Sequence, residues 1–199
     1  MIKDLRPTEA EIFQTLGKHL RQYIKHCEKE ALVRFAIYSS NEITKTVLND
    51  CQRLYEKMFR DKGVVASFNT DLALHYIQKN GLIIAEAYIN ERPVGFDAVI
   101  KDEKNARLWL AAFDFRSEEL DAQVLSRAHQ KLDWELLCYC KQNGIESFDF
   151  GGINSITEPN GIAEFKMRFE RNNIVTYYNY LVPNNLIGKV ALRIFYRNR

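Results

Sequence analysis

No stretch of this sequence approaches the roughly 18 uninterrupted apolar residues of a membrane-spanning helix. The charged start, Met1-Ile2-Lys3-Asp4-Leu5-Arg6-Pro7, is followed by no apolar segment of the secretory type, so a cytoplasmic protein is the expectation. Four prolines and nine glycines among 199 residues are too few for a linker or a fibrous repeat. Cysteine is also scarce. Cys27 and Cys51 stand alone, Cys138 and Cys140 lie two apart on different faces of a helix, and no His or Cys pair completes a zinc spacing. Reduced thiols and no bound metal are expected. Neither charge sign dominates: 28 basic residues face 26 acidic ones, which argues against duplex nucleic acid as a partner. What is present is apolar bulk. At 46% hydrophobic and 27% charged, the chain is too apolar for disorder and long enough for one domain with a core.

The periods of the apolar residues divide the chain. Ile12, Leu16, Leu20 and Ile24 recur at a helical step, predicting one N-terminal helix from Thr8 to Glu30. Ala31 to Tyr38 reads as a strand. Asn41 to Phe59 and Asn69 to Lys79 read as helices, the first capped by Ser39 to Asn41 and the second stopped by Asn80-Gly81. The period then changes. Leu82–Ile89, Val94–Ile100 and Ala106–Phe113 are β-rich runs separated by short polar turns, which predicts an antiparallel meander. Phe115 to Gln130 is polar and irregular. Lys131–Gln142 reads as a helix, Ile145–Phe150 as a strand, Gly161–Glu170 as a helix and Ile174–Val182 as a strand. The order predicts an α/β (α+β) fold: a mixed, mainly antiparallel sheet with helices on both faces. One crossover, from Ala106–Phe113 through a helix to Ile145–Phe150, should be parallel. Ligands collect at the carboxyl ends of such strands, so Asp114 to Arg116 and Phe150 to Asn154 are expected at one mouth.

Three acids interrupt apolar strands: Glu86, Asp97 and Asp149. A carboxylate inside an apolar strand is costly unless paired, which makes each a candidate for proton transfer, against the plainer reading of a solvent-facing position. Alternation puts Glu86 with Leu82, Ile84 and Tyr88, and Asp97 with Gly95 and Val99. Gly151-Gly152 permits close backbone approach of a ligand, or is simply a turn.

A set of elements in the second half carries a resemblance. Leu132-Asp133-Trp134-Glu135 on a helix comes first, then Lys141-Gln142-Asn143-Gly144 at its end. Phe148-Asp149-Phe150-Gly151-Gly152 follows, then Gly161 to Phe169 with Phe165-Lys166. Together these resemble the Fem-type branch of the GNAT acyltransferases, over roughly Leu82 to Val182. The resemblance implies a GNAT fold and transfer of an acyl group to an amine. It places Lys166 on the donor side, where a cation meets phosphate or a developing oxyanion, and Asp149 either at the Gly151-Gly152 turn or against substrate. Asn154 and Glu164 are assigned to the substrate.

There are departures from the pattern. The glycine-rich pyrophosphate loop of most GNAT enzymes is absent; Arg116 to Gln123 holds no glycine. Arg116, Arg127 and His129, read as lying at a helix start, are the substitute anion site. Fem-type bridge enzymes carry two such domains, whereas residues 1–199 read as one: a helix at 1–30, a core at 31–182 and a tail at 183–199. The expected donor is therefore acyl-CoA, acetyl-CoA first, rather than aminoacyl-tRNA. The expected acceptor is an amine of a small molecule, with an amino sugar of a cell-envelope polysaccharide leading. The alternatives are a tRNA-dependent peptidoglycan aminoacyltransferase and a non-catalytic binding module on the same fold. A tyrosine among Tyr177, Tyr178 and Tyr180 could protonate a leaving thiolate, and the tail could touch a membrane surface or complete the fold.

Overall fold

The computed structural model describes residues 1–29 and 33–176. Among them six strands form one sheet. In chain order these are β1 (Ile2–Asp4), β2 (Val33–Ser39), β3 (Leu82–Ile89), β4 (Arg92–Lys101), β5 (Asn105–Phe113) and β6 (Ser147–Asp149). Their order across the sheet is β1-β6-β5-β4-β3-β2. Every pairing is antiparallel except β5 with β6. The meander and the single parallel crossover expected from the sequence are both present.

Six helices cover the two faces. α1 (Glu9–Thr15), α2 (Lys18–Cys27), α5 (Ala122–Gln142) and α6 (Gly161–Met167) lie on one side, α3 (Lys45–Arg60) and α4 (Thr70–Gln78) on the other. Strand alternation divides the core accordingly. Ile83, Ala85 and Ala87 of β3 pack with Leu125, Leu132 and Leu136 of α5, whereas Leu82 and Ile84 pack with Leu48, Cys51 and Leu54 of α3.

The single helix expected over Thr8–Glu30 is two. Gly17 stands between them and its N–H donates to the Arg168 carbonyl at 3.0 Å. Thr8 opens α1 with a complete capping box, its side chain accepting from the Glu11 N–H. The helix expected at Asn41 begins later, with Thr44 as its N-cap. The Ser39–Glu42 side-chain bonds instead close the turn before it. α5 begins at Ala122 rather than Lys131, because Asp121 caps it: Asp121 Oδ1 accepts from the Gln123 and Val124 amides at 2.6 and 3.1 Å. β1 had no expectation. Within the proposed 174–182 strand, Ile174–Thr176 is not in the sheet, and the remainder lies outside the described residues. So do Tyr177, Tyr178, Tyr180 and the tail. No helix among the described residues is long and apolar enough to cross a membrane.

Two irregularities shape the sheet's centre. β6 pairs with β5 only at Asn105, Ala106 and Arg107. β5 then runs on through Leu108–Phe113 without it. At the same place β5 carries a bulge: Ala98 faces Leu110 and Val99 faces Leu108, leaving Trp109 as the extra residue. A bulge bends its strand and increases its twist. Beyond Arg107 and Asp149 the two parallel strands are no longer hydrogen-bonded, which leaves a gap between them.

Candidate functional site

The site grows out of that gap. β6 ends at Asp149, and Phe150-Gly151-Gly152 follows. Gly151 has φ +79°, a conformation that disfavours a side chain. Asp149 Oδ1 accepts from the Gly151 N–H at 2.7 Å and lies 3.4 Å from the Met1 amino group; its other oxygen lies 3.6 Å from Arg107 Nε. Of the two readings for Asp149, the bonds made here orient the glycine turn. Met1, Arg107, Asp149, Gly151, Gly152 and Asn154 are among the residues lining a cleft of about 810 Å³.

α6 closes over this turn. Its N-cap Asn160 accepts from the Ala163 N–H, and Ala163 is buried against the core. That phase turns Lys166 toward the glycines and Phe165 onto His129. Lys166 Nζ donates to the Gly152 carbonyl at 3.0 Å, and a Cβ added to Gly151 would lie 3.6 Å from the same nitrogen. Burial lowers the Lys166 pKa, opposed by the charges of Asp149 and Asp133. Among the described residues no carboxylate lies within ion-pair distance of it. Lys166 is thus a partly desolvated cation whose one bonded partner is a carbonyl.

Beneath Phe165 lies a second group of polar side chains. His129 is sandwiched between Phe165 (ring centroids 4.4 Å apart, planes 18°) and Phe113 (4.2 Å). Room for the Phe113 ring exists because residue 95 is glycine; a Cβ there would lie 2.3 Å from the ring. His129 Nε2 is 3.8 Å from Asp97 Oδ1 and 3.8 Å from Asp133 Oδ2. Both carboxyl groups are buried and close enough to share a hydrogen bond, and none of their four oxygens has a partner outside the pair. Burial pushes Asp97 up to about 8 and His129 down to about 3. Asp133 is pushed well up by burial and by the Asp97 charge beside it.

The expected site residues fall into separate places. Asp149, Gly151, Gly152 and Asn154 line the cleft, and Lys166 bonds the glycine turn from behind it. Asn154 serves the loop as well: its Nδ2 donates to the Glu158 carbonyl and its Oδ1 accepts from the Asn160 N–H. Glu164 is exposed in the first turn of α6 and does not line the cleft. Asp97 is close behind, on the α5 face. Glu86 is on the opposite face, fully buried, accepting from the Tyr88 hydroxyl at 2.5 Å; burial raises its pKa to about 7.

Two expectations about the donor end are corrected. His129 is not at a helix start but in the third turn of α5, because that helix begins at Ala122. The helix N-terminus itself is occupied by the Asp121 carboxylate, where an anion site would need free amides. Arg116 is exposed on the loop, and Arg127 is half-buried within α5, so the three do not form one anion pocket at the helix start. Likewise Asp114 does not share the cleft with Gly151. It turns to Lys57 (2.7 Å) and Arg92 (3.6 Å).

Asp133 was missed as a partner of Asp97 and His129. The signal was present: His129 and Asp133 are four apart, which is one face of a helix once that helix starts at Ala122.

With this geometry in place, comparison with known proteins decides the family. The model of the acetyltransferase (GNAT) domain matches residues 16–167. The chain belongs to the GNAT acetyltransferase-domain family. Membership supports an acyltransferase reaction class. Solved structures of similar fold include FemX, at 9% identity and a TM-score of 0.63 over 85% of this chain and 57% of that one. L-PGS from Bacillus licheniformis is similar at 15% identity and 0.55, over 87% of this chain and 60% of that one. The chain thus spans less than two thirds of either. An aminoglycoside acetyltransferase from an uncultured soil metagenomic sample, in complex with sisomicin, gives 15% identity and 0.52, over 77% of this chain and 99% of that one. These likenesses show the fold, and FemX fits the Fem-type resemblance. No curated protein matches the sequence.

Proposed function

We propose that this GNAT domain is an N-acyltransferase in which the acyl carbonyl enters the gap between β5 and β6 and the acceptor amine lies in the Gly151–Asn154 cleft. The observation that carries this reading is Lys166. Its ammonium stands at the glycine turn, partly desolvated and bonded only to the Gly152 carbonyl. When the amine nitrogen attacks, the carbonyl π pair moves to oxygen. A cation fixed beside that oxygen stabilises the charge as it develops. Collapse of the tetrahedral species expels the donor's leaving group, and the nitrogen's proton departs into the open cleft. Asp149 acts as a positioning residue through the Gly151 amide.

The donor we favour is a small acyl thioester, acetyl-CoA first, and the acceptor an amine of a small molecule, an amino sugar leading. The single-domain aminoglycoside acetyltransferase of the same fold supports that pairing. A second reading, an aminoacyl-tRNA donor, is favoured by one specific observation: the Asp121 carboxylate occupies the α5 amides that a diphosphate would use. A separate cleft of about 640 Å³ lined by Lys18, Arg168 and Arg171 offers cations for an RNA backbone.

The test is thiol release from a panel of acyl-CoAs with amino-sugar acceptors. Transfer is expected, and Lys166→Ala should lower kcat by about 10²–10³-fold, the loss typical of one oxyanion donor. No transfer and no thermal shift with any acyl-CoA, together with retention on immobilised tRNA, would overturn the thioester reading.

A further inference from the structure

We propose that Asp97, His129 and Asp133 form a binding site for one divalent transition-metal ion of zinc type. This goes beyond acyl transfer and does not depend on it.

Two carboxyl groups lie side by side in the core, close enough to bond each other, and none of their four oxygens has a partner outside the pair. Two buried carboxyl groups this close cannot both stay ionised without a counter-charge, so either protons or a bound cation must neutralise them. The imidazole does not do so by hydrogen bonding. Its Nε2 stands 3.8 Å from an oxygen of each, beyond hydrogen-bond reach. That spacing is close to what a shared ion needs. Ligand atoms about 2.1 Å from a tetrahedral zinc ion are about 3.4 Å from one another. Here Nε2 lies 3.8 Å from each carboxylate oxygen and all three ligand atoms lie within 4.8 Å of one another, so side-chain movements of up to about 1.4 Å close the site. One divalent cation would also cancel two carboxylate charges, leaving a neutral core.

The supports are rigid. His129 and Asp133 are one turn apart on the 21-residue α5, and Asp97 is on a central strand. The Phe113 and Phe165 rings fix the imidazole plane. One nitrogen and two carboxylate donors suit zinc, and less well manganese or ferrous iron. Magnesium and calcium want six or more oxygens. The cysteines are no part of this site.

The test uses the whole chain, purified without added metal or affinity-tag nickel. Metal content is measured after dialysis, before and after chelation. Zinc and magnesium are then titrated into the chelated protein. We expect about one equivalent of zinc per chain, a Tm that falls on chelation and returns with zinc but not magnesium, and at least a tenfold loss of affinity in His129→Gln and Asp133→Asn. Cobalt substitution should give visible bands of a nitrogen–oxygen site without thiolate charge transfer. Circular dichroism checks that the variants are folded. Absence of zinc binding up to millimolar concentration overturns the proposal. So does zinc retained at parental affinity in folded variants, which would assign it to thiols. A chelation-insensitive protein that Asp133→Asn stabilises would show instead that the two carboxyl groups share a proton.

Discussion

Two side chains on opposite faces of the sheet show how burial sets chemistry residue by residue. Lys166 is half-buried at the glycine turn, its pKa lowered by burial; Glu86 is fully buried, its pKa raised to about 7. The Glu86 carboxyl accepts from Tyr88, which lies 3.2 Å from Tyr38, with Asp50, Arg34 and Arg53 further out. Its folded pKa of about 7 exceeds the ordinary 4.5, so the folded state holds the proton more tightly. That contribution to stability is whole below pH 4.5 and is lost as pH rises through about 7. Relative to Glu86→Gln, the parent should lose about 2–3 kcal/mol between pH 5 and pH 8. Urea titrations at the two pH values measure it; parallel changes in both proteins would contradict it. From sequence, Glu86, Asp97 and Asp149 were all visible as acids in apolar strands. Their separation was not, because the face of a strand says nothing of which helix covers it. Asp97 acquired partners only when α5 brought His129 and Asp133 down onto β4.

At the scale of elements, β4 and α5 place the polar group. Gly95→Ala would put a methyl group into the Phe113 ring and displace the ring that holds His129. A cost of about 1–3 kcal/mol is expected for such overpacking, read as a fall in the denaturation midpoint. Asp121→Ala removes the α5 cap and should cost about 1 kcal/mol. It also frees two amides, so tighter acyl-CoA binding in that variant would locate the donor's diphosphate there, and unchanged binding would place it elsewhere. The meander was legible because three alternating runs are separated by short polar turns. The start of α5 was not. Arg116 to Gln130 is polar enough to look irregular, and only Asp121 as a cap followed by Leu125, Ala128 and Leu132 marks the helix. The Trp109 bulge left no sequence trace, since an apolar residue fits either phase of the strand. The sequence order placed a mouth at the carboxyl ends of the parallel strands, but not the bulge beside it.

For the molecule as a whole, the first residues and the last described ones hold each other. Lys3 is buried, and its ammonium donates to Thr15 Oγ1 at 2.7 Å and to Glu170 Oε2 at 3.1 Å. Lys3→Ala leaves the Glu170 carboxylate without its cation and should cost about 3–5 kcal/mol, as when one member of a buried pair is removed. Lys3→Ala combined with Glu170→Gln should cost clearly less, and equal losses would place the effect in packing. β1 makes the same connection through the backbone, pairing Ile2 with Asp149 and Asp4 with Ser147. That pairing has a temporal consequence. At about 5–20 residues per second a ribosome delivers β6 many seconds after β1. Through that interval β1 is an unmatched strand waiting for its neighbour, while the β2–β5 meander can already close. The sheet should therefore assemble from its β2 edge across to β5, with β6 and then its opening residues docking last.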